Sequence, residues 1–128
     1  MTIGLKGPYN SGAAVGGAGA ATIQANSDVI LRGQILAVYF RYNDSCPGTT
    51  DFTLRTLGTD PFAPSYNILA KANANTDGWF YPAKQQCDST GGAIANAYVP
   101  IVVEDYLNLL LAEADSGCSV DVWIMLDY

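Results

Sequence analysis

Five aspartates, Asp44, Asp51, Asp60, Asp77 and Asp88, are the side chains best placed by type to act as acid and base in a hydrolytic reaction. Each sits in or beside a turn, where an aspartate ordinarily hydrogen-bonds its own backbone, and no spacing pairs two of them. The stretch Asn73-Ala-Asn75-Thr-Asp77-Gly78 matches the first half of a calcium loop. Its twelfth position, where a bidentate glutamate is needed, is Lys84, so a turn is the better reading. The chain has no histidine, which removes Ser–His–Asp and Cys–His nucleophiles and histidine metal sites. The expectation is a protein that is not an enzyme and carries no metal or cofactor.

The aromatic residues offer contact rather than reaction. Trp79, Phe80 and Tyr81 stand together before Pro82, and Trp123 and Met125 alternate with Val122 and Ile124 near the C-terminus. Rings of this kind either stack on a sugar or fill a core and a subunit contact; core plus subunit contact is the preferred reading. Trp123 and Met125 fall on the face opposite the aliphatic residues of their strand. A second layer or a neighbouring chain should therefore cover them. These five residues are the candidate interface. Three cysteines, Cys46, Cys87 and Cys118, are too few and too widely spaced for a disulfide framework. Three unpaired thiols are expected, with a Cys46–Cys87 pair as the alternative outside a cell. Asn43-Asp-Ser45 is formally a glycosylation sequon.

The elements that must position these groups are strands. Cys118–Tyr128 alternates most cleanly, with Val120, Val122, Ile124 and Leu126 on one face and Asp121, Trp123, Met125 and Asp127 on the other. Gln34–Tyr42 reads as a nearly fully buried strand with Leu36, Val38, Phe40 and Tyr42 on one face. Asp51–Leu57 follows, with Phe52 and Leu54 inward. Short strands are also expected at 22–25, 28–32, 66–71 and 97–103. The run 106–114 favours helix by composition, yet its leucines repeat every second residue, so it is read as a strand. Residues 83–92 read as a polar loop, and Gly58–Pro64 as a loop enforced by Pro61 and Pro64. Residues 1–10 read as an edge strand or an extended arm, and the small-residue run Ser11–Ala21 buries too little to order itself. A flexible arm over 1–21 and a single sandwich domain over 22–128 are expected. Together these strands describe an all-β fold, an antiparallel β-sandwich or jelly roll.

Composition narrows the partners. Only six basic residues are present and the net charge is −6, which argues against nucleic acid as a partner. No run of about 18 apolar residues is present to span a bilayer, and the first ten residues lack the layout of a signal peptide. Charged residues are only 14% of the chain, so some apolar surface is expected to be covered by a partner.

Four segments carry a resemblance: Gly33–Tyr39 leading into Tyr42-Asn-Asp44, Thr49–Leu54, Asn75–Pro82 and Ser119–Ile124. In these the chain resembles the small decoration, or cement, proteins of tailed-bacteriophage capsids. The resemblance implies a β-sandwich made in the host cytoplasm and bound to the virion exterior, often as a homotrimer, bridging subunits of the major capsid protein. A phage tail or neck protein and a carbohydrate- or host-surface-binding module are the alternatives.

Overall fold

A computed structural model describes residues 2–58, 65 and 67–128. The loop expected around Pro61 and Pro64 lies outside the described residues. Ten strands are present among them: β1 (Ile3–Asn10), β2 (Ala21–Asn26), β3 (Leu31–Tyr42), β4 (Asp51–Thr56), β5 (Asn67–Lys71), β6 (Gly78–Phe80), β7 (Ala83–Cys87), β8 (Ala93–Asp105), β9 (Leu107–Ala114) and β10 (Val120–Asp127). They form two antiparallel sheets, one ordered β1-β10-β3-β8-β7 with β6 also on β3, the other β2-β9-β4-β5. The protein is an antiparallel β-sandwich, as the alternation of its apolar residues predicts.

The core lies between the sheets. From the larger sheet β10 contributes Val120, Val122, Ile124 and Leu126, all essentially inaccessible. Burial of each contributes about 1.5–3 kcal/mol. Phe52 and Leu54 of β4 and Leu107, Leu109 and Leu111 of β9 oppose them from the smaller sheet. The 106–114 run is thus a strand, because its two-residue period buries one row of leucines where a helical turn would scatter them.

Strand β3 does not keep one parity throughout. Val38, Phe40 and Tyr42 face the core, but so does Ile35, while Leu36 is only half-buried. The register against β10 runs Met125 to Ala37 and then Leu126 to Ile35, leaving Leu36 without a partner. Leu36 is therefore a bulge, and one extra residue flips every side chain beyond it to the other face.

That bulge coincides with a division of the strand's far edge. Val38–Phe40 pairs with β6, whereas Leu31–Ile35 pairs with Ile101–Asp105 at the end of β8. Two segments thus share one edge, and the chain between them, residues 81–100, must leave the sheet. It does so as a ribbon of β7 and the first half of β8, Ala83 opposite Pro100 and Cys87 opposite Ala93. The polar loop expected over 83–92 is half strand. Its residues lack a hydrophobic period because neither side of the ribbon meets the core.

Two further expectations are corrected. The arm expected over 1–21 is, in its described residues 2–21, instead part of the sandwich. Ile3–Asn10 pairs with β10 along the sheet edge, Ser11 donates its amide to the Val120 carbonyl at 3.1 Å, and Ala14 and Ala21 are buried. Of this small-residue run only Ser11, Ala14 and Ala21 are buried, and Val15–Ala20 is exposed. The cysteines are also not three free thiols: Cys46 is bonded to Cys118, and Cys87 is the free, exposed one. The Cys46–Cys87 alternative fails because Cys87 sits near the tip of the ribbon, away from the core.

Among the described residues, Tyr42 is the one place where a buried side chain is polar without compensation. Its ring packs edge-on to Phe40 and Phe52, centroids 5.9 and 6.4 Å away, and its hydroxyl finds no partner among the described residues. Burial, with the Asp77 carboxylate adding to it, pushes this phenol up to about 12. Tyr42→Phe should stabilise the fold by about 1–2 kcal/mol at neutral pH, since it removes an unpaired buried hydroxyl. The unfolded phenol ionises near 10. Between about pH 10 and 12 the unfolded chain therefore loses a proton that the folded chain keeps, and stability falls across that window. Denaturant melts of both proteins through that pH range check both effects; the phenylalanine variant should lack this component of the alkaline loss.

Candidate functional site

The outward face of the larger sheet is where the candidate residues meet. Register places Tyr39 opposite Trp79 on one side and opposite Trp123 on the other. The three rings form a row across β6, β3 and β10, with centroids 5.2 Å apart for Tyr39–Trp79 and 5.5 Å apart for Tyr39–Trp123, each pair tilted by 45°. Trp79 is 48% exposed, and Tyr39 and Trp123 are half-buried by their neighbours. Met125 lies one pair further along β10, between Ala37 and Leu5.

A charged row runs beside the rings. Arg41 and Asn10 flank Asp121 in the register. The Arg41 guanidinium contacts one Asp121 oxygen at 3.2 Å, and the Asn10 amide donates to the other at 2.7 Å. The guanidinium also lies over the Trp123 ring, 5.2 Å from its centroid. Trp123, expected to need cover, is thus partly covered by Arg41 and Tyr39 of its own sheet.

Of the five candidate interface residues, Trp79, Trp123 and Met125 share this face. Tyr81 is 71% exposed and stands at the root of the ribbon. Phe80 does not belong with them: it packs against the core, as alternation within β6 requires. Tyr39 was the residue that sequence reasoning missed. It lies on the outward face of Gln34–Tyr42, and only the β3–β6 pairing brings it beside Trp79.

The ribbon is the second exposed feature. All five residues of β7 are exposed, and along β8 the residues before Ile101 are exposed or half-buried. Ile94, Tyr98 and Val99 are among the exposed apolar side chains. Its turn is firmly made. Asp88 accepts from the Thr90 amide at 2.9 Å, the Thr90 hydroxyl at 2.7 Å and the Gly92 amide at 2.9 Å. These bonds, the Thr90 hydroxyl foremost, hold the Asp88 carboxyl below its ordinary value.

Of the residues read for metal and acid–base chemistry, Asp51, Asp77, Asp88, Asn73 and Asn75 are in structural use, and Asp60 lies outside the described residues. Asp77 accepts from the Tyr42 amide at 2.8 Å, Asn75 donates to the Cys46 carbonyl at 3.0 Å, and Asp51 accepts from the Asn73 amide at 3.0 Å. The calcium-like stretch is therefore a turn that ties β3 to the loop before β4. No group of three potential metal ligands occurs among the described residues. Asn43 of the sequon donates to the Gly117 carbonyl at 2.8 Å and accepts from the Ser119 amide at 3.2 Å, joining the two loops that the disulfide connects.

A cleft of about 260 Å³ opens between β1 and the start of β3, lined by Lys6, Tyr9, Ile30, Arg32, Leu126 and Tyr128 among others. Its cations are committed within the chain. Lys6 lies 4.3 Å from the Tyr128 ring centroid, and Arg32 contacts Glu104 at 3.3 Å.

No protein-family model matches the chain. No curated protein matches it in sequence. Among solved structures it is similar to that of FLHE, at 15% identity over the whole of both chains and a TM-score of 0.43. It is also similar to a family 16 carbohydrate-binding module, at 13% identity over 83% of this chain and 67% of that one, TM-score 0.36. A third is CBM32-3 from a family 31 glycoside hydrolase of Clostridium perfringens, at 12% identity over 98% of this chain and 76% of that one, TM-score 0.36.

Proposed function

We propose that this chain is a structural virion protein, a decoration or cement protein that binds the outside of an assembled tailed-phage head. In this reading it acts as a homotrimer and bridges neighbouring subunits of the major capsid protein. The observation that carries the reading is the ribbon of residues 83–100. An isolated two-stranded hairpin is at best marginally stable in water. This one nonetheless has a well-made turn, exposed apolar side chains and an outer edge on β7 that pairs with no strand among the described residues. Such an element is suited to completion by another chain, through edge pairing and burial of Ile94, Tyr98 and Val99.

Of the four segments that resemble cement proteins, three fall together: Gly33–Tyr39 and Ser119–Ile124 meet on paired β3 and β10, and Asn75–Pro82 contains β6 and the ribbon root, while Thr49–Leu54 leads into β4 of the other sheet. A bonded Cys46–Cys118 pair suits a protein that works outside the cell. The mechanism is linkage. A protein that binds only the assembled lattice stabilises it by mass action, with no catalytic step.

The test replaces residues 84–99 by a short glycine turn and compares co-sedimentation with empty heads. The shortened protein should keep its sheet spectrum and its Cys46–Cys118 bond, form no trimer by light scattering, and stay in the supernatant. Native protein should pellet with the heads at hundreds of copies per particle, and bound heads should protect Cys87 from maleimide. Equal pelleting of the shortened protein, or a dozen or fewer native copies per particle, would overturn the reading.

A further inference from the structure

We propose that the row Trp79–Tyr39–Trp123 is a binding platform for a neutral oligosaccharide, a role separate from docking through the ribbon. Three observations converge on that ligand class. The rings occupy registered positions on adjacent strands, so the sheet, not a loop, sets their spacing. Each is braced by the next, and Trp123 is further held by the Arg41 guanidinium. Their presentation therefore costs little ordering entropy on binding. The polarised C–H face of a pyranose ring stacks on such a surface, and Trp79 is the ring that offers it most area, since Arg41 and Tyr39 partly cover Trp123.

The neighbouring row supplies the hydrogen bonds that stacking alone lacks. Arg41, Asp121 and Asn10 lie one pair along from the rings and hold one another in place. Arg41 keeps guanidinium N–H groups to spare, since Asp121 engages it through one nitrogen. Donors and acceptors thus stand beside an apolar strip, as hydroxyl-bearing rings require. The charges in this row cancel. On a chain of net charge −6, an electrically balanced patch suits an uncharged ligand better than a strongly basic or acidic partner.

The experiment exploits a property of the chain: its two tryptophans are both in the row. Intrinsic tryptophan emission of the full-length protein therefore reports on this face alone. The probes are cellohexaose, xylohexaose, maltohexaose and N-acetylated chitohexaose, each titrated into the millimolar range. At least one should shift the emission saturably. Trp79→Ala should weaken that binding roughly tenfold while leaving the sheet spectrum and co-sedimentation with heads unchanged. Arg41→Ala should weaken it severalfold. No saturable change with any probe overturns the proposal, as does binding that survives Trp79→Ala. An emission change produced by phage heads and by none of the sugars assigns the row to protein contact and also overturns it. Loss of head binding by the ribbon variant has no bearing on these titrations, so the two readings fail independently.

Discussion

Replacing Cys46 and Cys118 together by alanine should lower stability by about 2–5 kcal/mol, a large share of the roughly 5–15 kcal/mol of a typical domain. The bond joins residues 72 apart in sequence. Without it the unfolded chain regains the freedom of a long loop, and by the chain-entropy account that term is about 4 kcal/mol for a loop of this length. The native side loses as well. Both cysteines are buried, and the bond holds the β3–β4 loop against the turn between β9 and β10. The same junction carries the Asn43 bonds to Gly117 and Ser119, and Ala14 exchanges amide bonds with Gly117 and Cys118 there. Guanidinium melts of the native protein with and without reductant, beside the double variant, measure the effect. Coincident midpoints would show that the hydrogen bonds suffice.

Gly33→Ala should cost about 3–5 kcal/mol, from a strained backbone angle and a backbone collision together. Gly33 has φ of +134°, which L side chains rarely adopt, and a methyl group there would collide with the Asp127 carbonyl oxygen. The obstruction is main chain, so it cannot rotate away. Gly33 sits inside β3, opposite Val103 of β8, while the next residue, Gln34, is opposite Asp127 of β10. The strain would therefore fall on the centre of the larger sheet. Gly17→Ala is the control, with nothing within 4 Å of the added methyl. Thermal melts should separate the two variants clearly; equal melting temperatures would show that β3 and β10 part at little cost.

How much of this was legible in the residues follows from where the core lies. Strands with one face buried announce themselves, and Val120–Leu126 and Phe52/Leu54 were placed on the correct face by alternation alone. The bulge at Leu36 was not visible, because β3 is apolar on both sides over that stretch and a one-residue slip leaves no mark in such a pattern. The ribbon was missed for the opposite reason: Ala83–Cys87 has no apolar face to alternate. The N-terminal segment misled through composition. Ala14 and Ala21 are small because they are tightly enclosed, whereas small residues in isolation suggest a chain that never orders. The cysteine pair depended on the topology, since only the return of β10 beside β3 brings positions 46 and 118 together. For the candidate site, Trp79 and Trp123 were recognisable by type, but the residue that unites them, Tyr39, had no distinguishing neighbour in sequence.

The ribbon also lies within the stretch of chain that the Cys46–Cys118 bond encloses. Its Asp88–Gly92 tip is the kind of exposed, small-residue turn that proteases cut first. A single nick there would not release a fragment, because the two pieces stay joined covalently and through the packed sheets. Such a molecule would run as one band on a non-reducing gel and as two after reduction, so a cut at the tip would leave the body assembled.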